Sequence, residues 1–571
     1  MQMAAIMNIL LISSPSSRQL KPNICTRIHK EVDRLLRRHP PHCQVPISHT
    51  FSMETKSQSG YSATLALVLG AAAIIILAIL RFKSSSSKKL APGPRGIDAL
   101  RGLLGAVRHG SLDKQAAQWS RQYGPLVLCR SAVGDVCVLN TPRLVREVFA
   151  GKGVEQLTDS RPRSFVGSFA FYNYHDLGLS SPDYMKEWPK MRKLFHQAIK
   201  FYGDGVERME SRLHEELRLL TTELQAACGQ DVNVDQVISN SILRVVLTLM
   251  TGECSDPSLV STTKRCDTGL NRIFNPSTDL LLTLCPWLRH VPFLPYKRLC
   301  SEFIEAREQM MDKLFTQHKA SRVEGTPRGI VDVLLDEQDK GENRWISDDH
   351  IRGLILDTVA AAFLTSSSTL KTIILYLVHN PHAARRIQTE IDTRLGERTP
   401  TLQNKSDLPY VQAAVLETLR LASTAPLGVP HRTTDDVSMD GFTIPKGATV
   451  FANSVLFHHD PETYADPHAF KPERFLDDEG QLLPASHPLR QSLMPFGVGK
   501  RACPGESFAK SRVFLYVTTL LQHFDILPPT QHKLLPVTGC SWMNGISAEV
   551  KPYHAVFRPR AHTQPHLANS T

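Results

Sequence analysis

Apolar side chains recur every three to four positions along most of this chain, the spacing that lines one face of a helix. The clearest runs predict helices over 144–150, 204–228, 234–249, 351–378, 383–395, 408–421 and 508–521. Shorter apolar pieces at 126–129, 136–139 and 449–451 read as strands. No internal repeat is evident, and from about residue 98 onward no linker is long enough to split the chain. The pattern predicts one large domain over 98–560, mainly α with small β-sheets.

One run breaks the amphipathic rule. Residues 61–80 carry no charge and only small hydroxyls in place of a polar stripe. Their length spans a bilayer core as a helix and exceeds the apolar stretch of a typical signal peptide. They predict a single N-terminal transmembrane helix, with the anchor over 61–82. Arg81, Lys83, Lys88 and Lys89 follow at once and place the C-terminal side in the cytoplasm. Residues 83–97 read as a basic, Pro-rich hinge, flexible at Ser84 to Ser87 and stiff from Pro92 to Pro94. The extension over 1–60 is basic upstream of Met53, where Arg18, Lys21, Arg27, Lys30, Arg34, Arg37 and Arg38 outnumber Glu31 and Asp33. Such a segment suits a mitochondrial transit peptide. Met53, however, opens an ordinary anchored N-terminus, so 1–52 read as belonging to an alternative start. Residues 561–571 form a polar tail.

Composition narrows the class. With 571 residues, 42% of them hydrophobic, the chain can bury a substantial core. The excess of 66 basic over 55 acidic side chains, +11, suits a membrane surface, an acidic partner or nucleic acid. No basic patch interleaved with aromatics favours nucleic acid. The 11 cysteines are scattered singly, which points to a reducing compartment and away from disulfides or zinc.

The chemistry concentrates at Phe496-Gly497-Val498-Gly499-Lys500-Arg501-Ala502-Cys503-Pro504-Gly505. Taken alone, Cys503 reads as a buried structural thiol. Framed by a turn glycine, a nearby cation and the start of a helix, it reads instead as one thiolate offered to one metal. Upstream, Glu417 and Arg420 lie at i, i+3 on one helix face, followed by Lys471-Pro472-Glu473-Arg474-Phe475. Trp188 and Arg192 lie at i, i+4, a spacing that an ordinary amphipathic helix also shows.

The pattern F-x-x-G-x-R-x-C-x-G resembles the haem-binding loop of the cytochrome P-450 family. The E-x-x-R pair, the P-E-R-F segment and their order along the chain are similar to that family as well. The resemblance covers roughly residues 90–560 and is closest to animal microsomal members, the drug-metabolising and steroid 17-hydroxylating group. It implies the cytochrome P-450 fold, with haem b held by Cys503 within a loop that includes Phe496 and Gly505. It implies that Trp188, Arg192, Arg501 and His431 meet the haem propionates, Arg432 serving equally well in place of His431. It implies a structural network of Glu417, Arg420 and Arg474 behind the haem. Thr365 matches the threonine that helps deliver protons to dioxygen, although a hydroxyl bonded back to its own helix is the plainer alternative. Here the chain departs from the family pattern: Ala362 stands where a glycine is usual, and Leu364 where an acid is expected.

The function implied is a membrane-anchored haem-thiolate monooxygenase inserting one oxygen atom from O2 into a lipophilic substrate, whether steroid, fatty acid or xenobiotic. Electrons would come from NADPH through NADPH-cytochrome P-450 reductase, with cytochrome b5 a further candidate donor. Lys186, Lys190, Lys193, Lys500, Lys510 and Arg512 are expected to form the basic face that receives the reductase. Phe363, Leu364, Leu427, Val429 and residues 542–546 are the expected pocket wall. The endoplasmic reticulum membrane is the expected location, with the mitochondrion as the alternative. Two other readings stand beside this one: a haem-thiolate isomerase or dehydratase working without reductase, which Leu364 favours, and a haem carrier or sensor.

Overall fold

Capping chemistry fixes where the apolar runs become helices. The Thr141 hydroxyl accepts from Leu144 N, and Pro142 supplies the first helical φ of α1 (Pro142–Ala150). The side chains of Asn233 and Ser347 perform the same service for α4 (Val234–Thr251) and α5 (Asp348–His379), the latter in a capping box with His350. Between α1 and α4 lie α2 (Glu187–Lys200) and α3 (Glu207–Ala226); after α5 come α6 (Pro409–Ala422) and α7 (Glu506–His523). The computed structural model describes residues 89–561 apart from 110–111, 132–133, 171–178, 181–186, 202–206, 254–255, 275, 538–541 and 545–546. The expected extension, the anchor at 61–82, the first part of the hinge and the tail beyond 561 lie outside the described residues. The described residues all belong to one compact unit.

Helices α3 to α7 contribute to the main core, among them Leu220, Ile242, Leu354, Ile374, Val411 and Leu520. Each such side chain, fully removed from water, stabilises the fold by about 1.5–3 kcal/mol. The centre of that core is α5, whose 32 residues extend about 48 Å. Among the described residues it alone is long and apolar enough to cross a membrane, but its apolar residues are buried by its neighbours.

The strands are short. β1 (Leu126–Ser131) and β2 (Gly134–Leu139) pair antiparallel, and β2 continues parallel to β7 (Thr449–Ala452), which pairs antiparallel with β4 (His431–Arg432). This four-stranded sheet packs its apolar face on α1 through Leu126, Leu139, Val148 and Val450. A three-stranded sheet joins β3 (Asp231–Asn233), β11 (His554–Pro559) and β8 (Phe524–Leu527). The hairpins β5 (Val437–Met439) with β6 (Phe442–Ile444) and β9 (Trp542–Asn544) with β10 (Ala548–Val550) complete the set. The architecture is mainly α with small β-sheets. Two further helices, Pro257–Ile273 and Pro295–Met311, pack against one another outside the runs that the hydrophobic period singles out.

Candidate active site

Cys503 sits one turn before α7, in a loop closed by its own backbone. Cys503 N donates to Phe496 O at 2.8 Å and Ala502 N to Gly499 O at 3.1 Å. Gly499 adopts φ +76°, and a Cβ there would stand 2.0 Å from the Phe149 carbonyl at the end of α1. Only glycine lets the loop seat against that helix. The Cys503 side chain is exposed, yet protein surrounds it: the surface it presents faces an internal cavity. Burial pushes its thiol up, while the Gly505 backbone N–H pulls it back toward the thiolate.

That cavity encloses about 420 Å³ and is lined from α1, α2, α5, α7 and β4. Its walls gather cations. Arg192 Nη2 donates to Ala502 O at 2.7 Å, and the Arg501 guanidinium lies 4.1 Å over the Trp188 ring while its Nε donates to Asp159 O at 2.8 Å. Arg161 lines the same wall, and sequence reasoning did not single it out as a site residue. Its Nη1 donates to the Val429 and Pro430 carbonyls at 2.7 and 3.0 Å. Its buried Nε has no partner among the described residues. Burial, and then the neighbouring Arg501 cation, lowers its pKa to about 9. The Trp188 indole N–H, expected at a carboxylate, donates to Leu179 O at 3.1 Å.

The structure prefers His431 to Arg432 at this wall: His431 lines the cavity, whereas Arg432 does not. Its ring stacks on Phe149 at 3.8 Å, and Nδ1 lies 2.7 Å from Thr158 O. A carbonyl only accepts, so the ring proton sits on Nδ1. Burial, then the Arg161 cation, holds the imidazole well below its usual range, so it is neutral and Nε2 is an acceptor. Phe496 and Gly505 also line the cavity.

On α5, Ala361 and Thr365 face the cavity at i, i+4, and the Thr365 hydroxyl donates to Ala361 O at 2.7 Å. Phe363 and Leu364 do not line it: at 5% exposure each, they pack into the helical core on the other side of α5. At 100° per residue Leu364 and Phe363 are turned about 100° and 200° away from Thr365, on the side opposite to Ala361, Ala362, Ser366 and Thr369, which accounts for this correction. Leu427 is likewise not a wall residue, whereas Val429 is. The side chains of 542–546 lie outside the described residues.

Two turns before Thr365, Asp357 puts a carboxyl in the wall, where its Oδ2 accepts from Ser180 N at 3.1 Å. Burial raises its pKa to about 6 despite the two backbone N–H groups it accepts from, those of Ser180 and Leu179. Between the ordinary carboxylate value and about 6 the folded protein holds a proton that the unfolded chain has lost. This contribution to stability is therefore present at low pH and disappears as pH rises through about 6. Asp357→Asn is expected to erase it, so the thermal midpoint of the variant gains on that of the parent from about pH 4.5 to pH 7. A difference that stays constant across that range would contradict the assignment.

Glu417 and Arg420 are both fully buried on α6 and form a forked pair, Nε and Nη2 to the two carboxylate oxygens at 2.8 Å each. Arg474 Nε and Lys471 N complete the carboxylate, each at 3.0 Å from Oε1. Arg420 Nη1 donates to His458 O and Pro467 O, both at 2.7 Å. His458 then carries the cluster to the cysteine loop, its Nε2 accepting from Met494 N at 3.1 Å. Burial holds its pKa down at about 3, so His458 is neutral throughout. Nothing in the spacing of Phe457-His458-His459-Asp460 signals this link, because it runs through a backbone amide.

A thiol at the floor, the guanidinium groups of Arg161, Arg192 and Arg501 in the walls and a largely apolar surround fit a flat apolar group that bears two carboxylates and one soft-ligand metal. The family model for "Cytochrome P450" matches residues 92–553. The chain belongs to the cytochrome P450 family. It is therefore an oxidoreductase of the monooxygenase type, and the family cofactor is haem held by a cysteine thiolate. Among relatives of this P450, cytochrome P450 2U1 of Rattus norvegicus is 30% identical over 431 residues, 74% of this chain and 79% of that one. The steroid 17-alpha-hydroxylase/17,20 lyase of Gallus gallus is 29% identical over 489 residues, covering 83% and 94%. A solved zebra fish cytochrome P450, described as a structure with abiraterone, aligns with a TM-score of 0.66 at 28% identity, over 79% of this chain and all of that one.

The proposed basic face of the P450 needs one correction. Lys190 and Lys193 are exposed, Lys500 pairs with Glu155 and Asp159 at 3.4 Å each, and Lys510 pairs with Glu506 at 2.5 Å. Arg512 is 4% exposed and points inward to α5, so it offers nothing to a docking partner. Lys186 lies outside the described residues.

Proposed function

We propose that this P450 inserts one oxygen atom from O2 into a lipophilic substrate, taking electrons from NADPH through a flavoprotein reductase at the endoplasmic reticulum membrane. The observation that carries this reading is the pairing of Cys503 and Thr365 on one cavity with largely apolar walls. Wall residues such as Val145, Val246, Leu249 and Ile330 exclude water and select an apolar ligand. The relatives named as steroid 17-alpha-hydroxylases support a steroid-sized substrate. Exposed Ile97, Leu104, Trp287 and Phe293 support contact with a membrane beyond the expected anchor.

In this mechanism haem supplies the redox chemistry, activating dioxygen under the electron push of a thiolate. Cys503 would hold the iron through its sulfur, and Arg161, Arg192 and Arg501 would hold the carboxylates. A carboxylate near His431 would favour the protonated ring and give it a second donor at Nε2. Thr365 keeps its hydroxyl oxygen on the cavity as an acceptor and would pass a proton there by releasing its own from Ala361 O while taking up another. Glu417, Arg420 and Arg474 fix the loop that carries Cys503. Lys190 and Lys193 steer an acidic reductase toward that loop.

The experiment joins the chain to a flavoprotein reductase and NADPH and offers steroids, fatty acids and aromatic drugs, with products followed by mass. Products heavier by one oxygen, dependent on reductase, are expected. Bound haem with no NADPH consumption on any of them would replace this reading with a reductase-independent rearrangement of an oxygenated lipid.

A further inference from the structure

Arg512 has no role in the site as so far described, and its environment is unusual for a cation. It lies two turns into α7, 4% exposed, and reaches across to α5. Its Nη2 donates to Ala362 O at 2.9 Å and to the Ser366 hydroxyl oxygen. Among the described residues it makes no ion pair, and its Nε has no partner. Burial pulls its pKa down to about 10, with only the Tyr516 phenol acting the other way. Packing alone would be served better by an apolar side chain of that size, since a buried charge without a counter-charge is costly.

The position of the guanidinium is informative. The carbonyls of Ala361 and Ala362 stand side by side on the turn that carries Thr365. The first takes the Thr365 hydroxyl and the second takes Arg512. Ser366, 2% exposed and part of the cavity wall, spends its oxygen on the same guanidinium. Its own hydroxyl proton meets no acceptor among the described residues. A hydroxyl that accepts from a cation is a stronger donor for its remaining proton. Leu364, in the position where family members carry an acid, gives this turn no charge at all.

We propose that Arg512 is a positioning residue for this turn of α5. Its guanidinium clamps the Ala362 carbonyl and makes Ser366 a charge-backed proton donor at the cavity wall, which the side chain of Leu364 cannot be. The inference rests on the monooxygenase reading for its purpose, but its physical content is simpler: the turn stabilises negative charge in the cavity beside Thr365.

Cyanide, a small anion that binds ferric haem, probes that content without reductase or substrate. The full chain is loaded with haem and titrated with cyanide, next to Arg512→Met, Arg512→Lys, Ser366→Ala and the Arg512→Met/Ser366→Ala double variant. Cyanide affinity is expected to fall at least about fivefold in Arg512→Met and in Ser366→Ala. Arg512→Lys should recover part of the loss, and the double variant should be no worse than the weaker single one. The same variants should divert more NADPH to hydrogen peroxide during turnover. Cyanide affinity unchanged within twofold in both single variants, even with a lowered thermal midpoint, makes Arg512 a packing residue and overturns the proposal. Should Arg512→Met fail to take up haem, Ser366→Ala decides alone by the same criterion. A wild-type protein that turns over no substrate, with these affinity losses intact, refutes the proposed function and leaves the Arg512 assignment standing.

Discussion

Glu417→Ala is expected to leave no stable haem-loaded protein. The substitution strands two guanidinium groups, Arg420 fully buried and Arg474 nearly so, without the carboxylate that both share. Breaking a buried pair by removing one partner costs about 3–5 kcal/mol. That is a large part of the roughly 5–15 kcal/mol that holds an entire domain together. The cost also falls in a sensitive place, because Arg420 holds the His458 carbonyl and the His458 ring in turn holds Met494, two residues before Phe496. Glu417→Gln separates the two effects: it keeps the size and acceptor oxygen of the side chain but removes the charge, and should destabilise less. Denaturant unfolding and haem content measure both variants. A Glu417→Ala protein with parental haem content and an unfolding free energy within about 1 kcal/mol would show that the cluster is not what fixes the loop.

Cys503→Ser is expected to have the opposite signature, with chemistry lost and fold retained. The side chain faces a cavity and is not packed in a core, so exchanging sulfur for oxygen removes little buried contact. The loop itself is held by Cys503 N to Phe496 O and by Gly499 against Phe149, neither of which needs the thiol. A serine hydroxyl does not ionise at neutral pH and cannot provide the electron push of a thiolate. Reductase-dependent product formation should fall by about 10³-fold or more, while the thermal midpoint of the haem-free chain moves by only about 1–2 °C. Residual activity above a tenth of the parent would remove Cys503 from the chemistry.

How much of this was legible in the sequence depended on the range of each interaction. Helices such as α5 and α6 are long, largely apolar runs, so their length and composition located them to within a few residues. The cysteine loop and the Glu417–Arg420 pair were equally readable, because the residues that act together are close in the chain. Pro257–Ile273 and Pro295–Met311 escaped because polar side chains dominate both, so that their apolar stripes, periodic as they are, are narrow. The family resemblance puts Phe363 and Leu364 in the pocket, yet the helical twist sends them into the core. Arg512 looked like one more surface cation beside Lys510 until the packing of α7 on α5 showed it buried. Arg161, Asp357 and His458 act through carbonyls and amides that are contributed by distant segments, and backbone partners leave no trace in side-chain patterns.

The central claim is that Cys503 presents a thiolate to haem iron inside this cavity. The ferrous–carbon monoxide absorption spectrum of the haem-loaded full chain tests it most directly, because the wavelength of the main band reports the atom bound opposite carbon monoxide. The account predicts the red-shifted band of thiolate ligation in the parent, replaced in Cys503→Ser by the shorter-wavelength band of a haem without it. A parent protein that binds no haem, or that shows the shorter-wavelength band while folded, would contradict it.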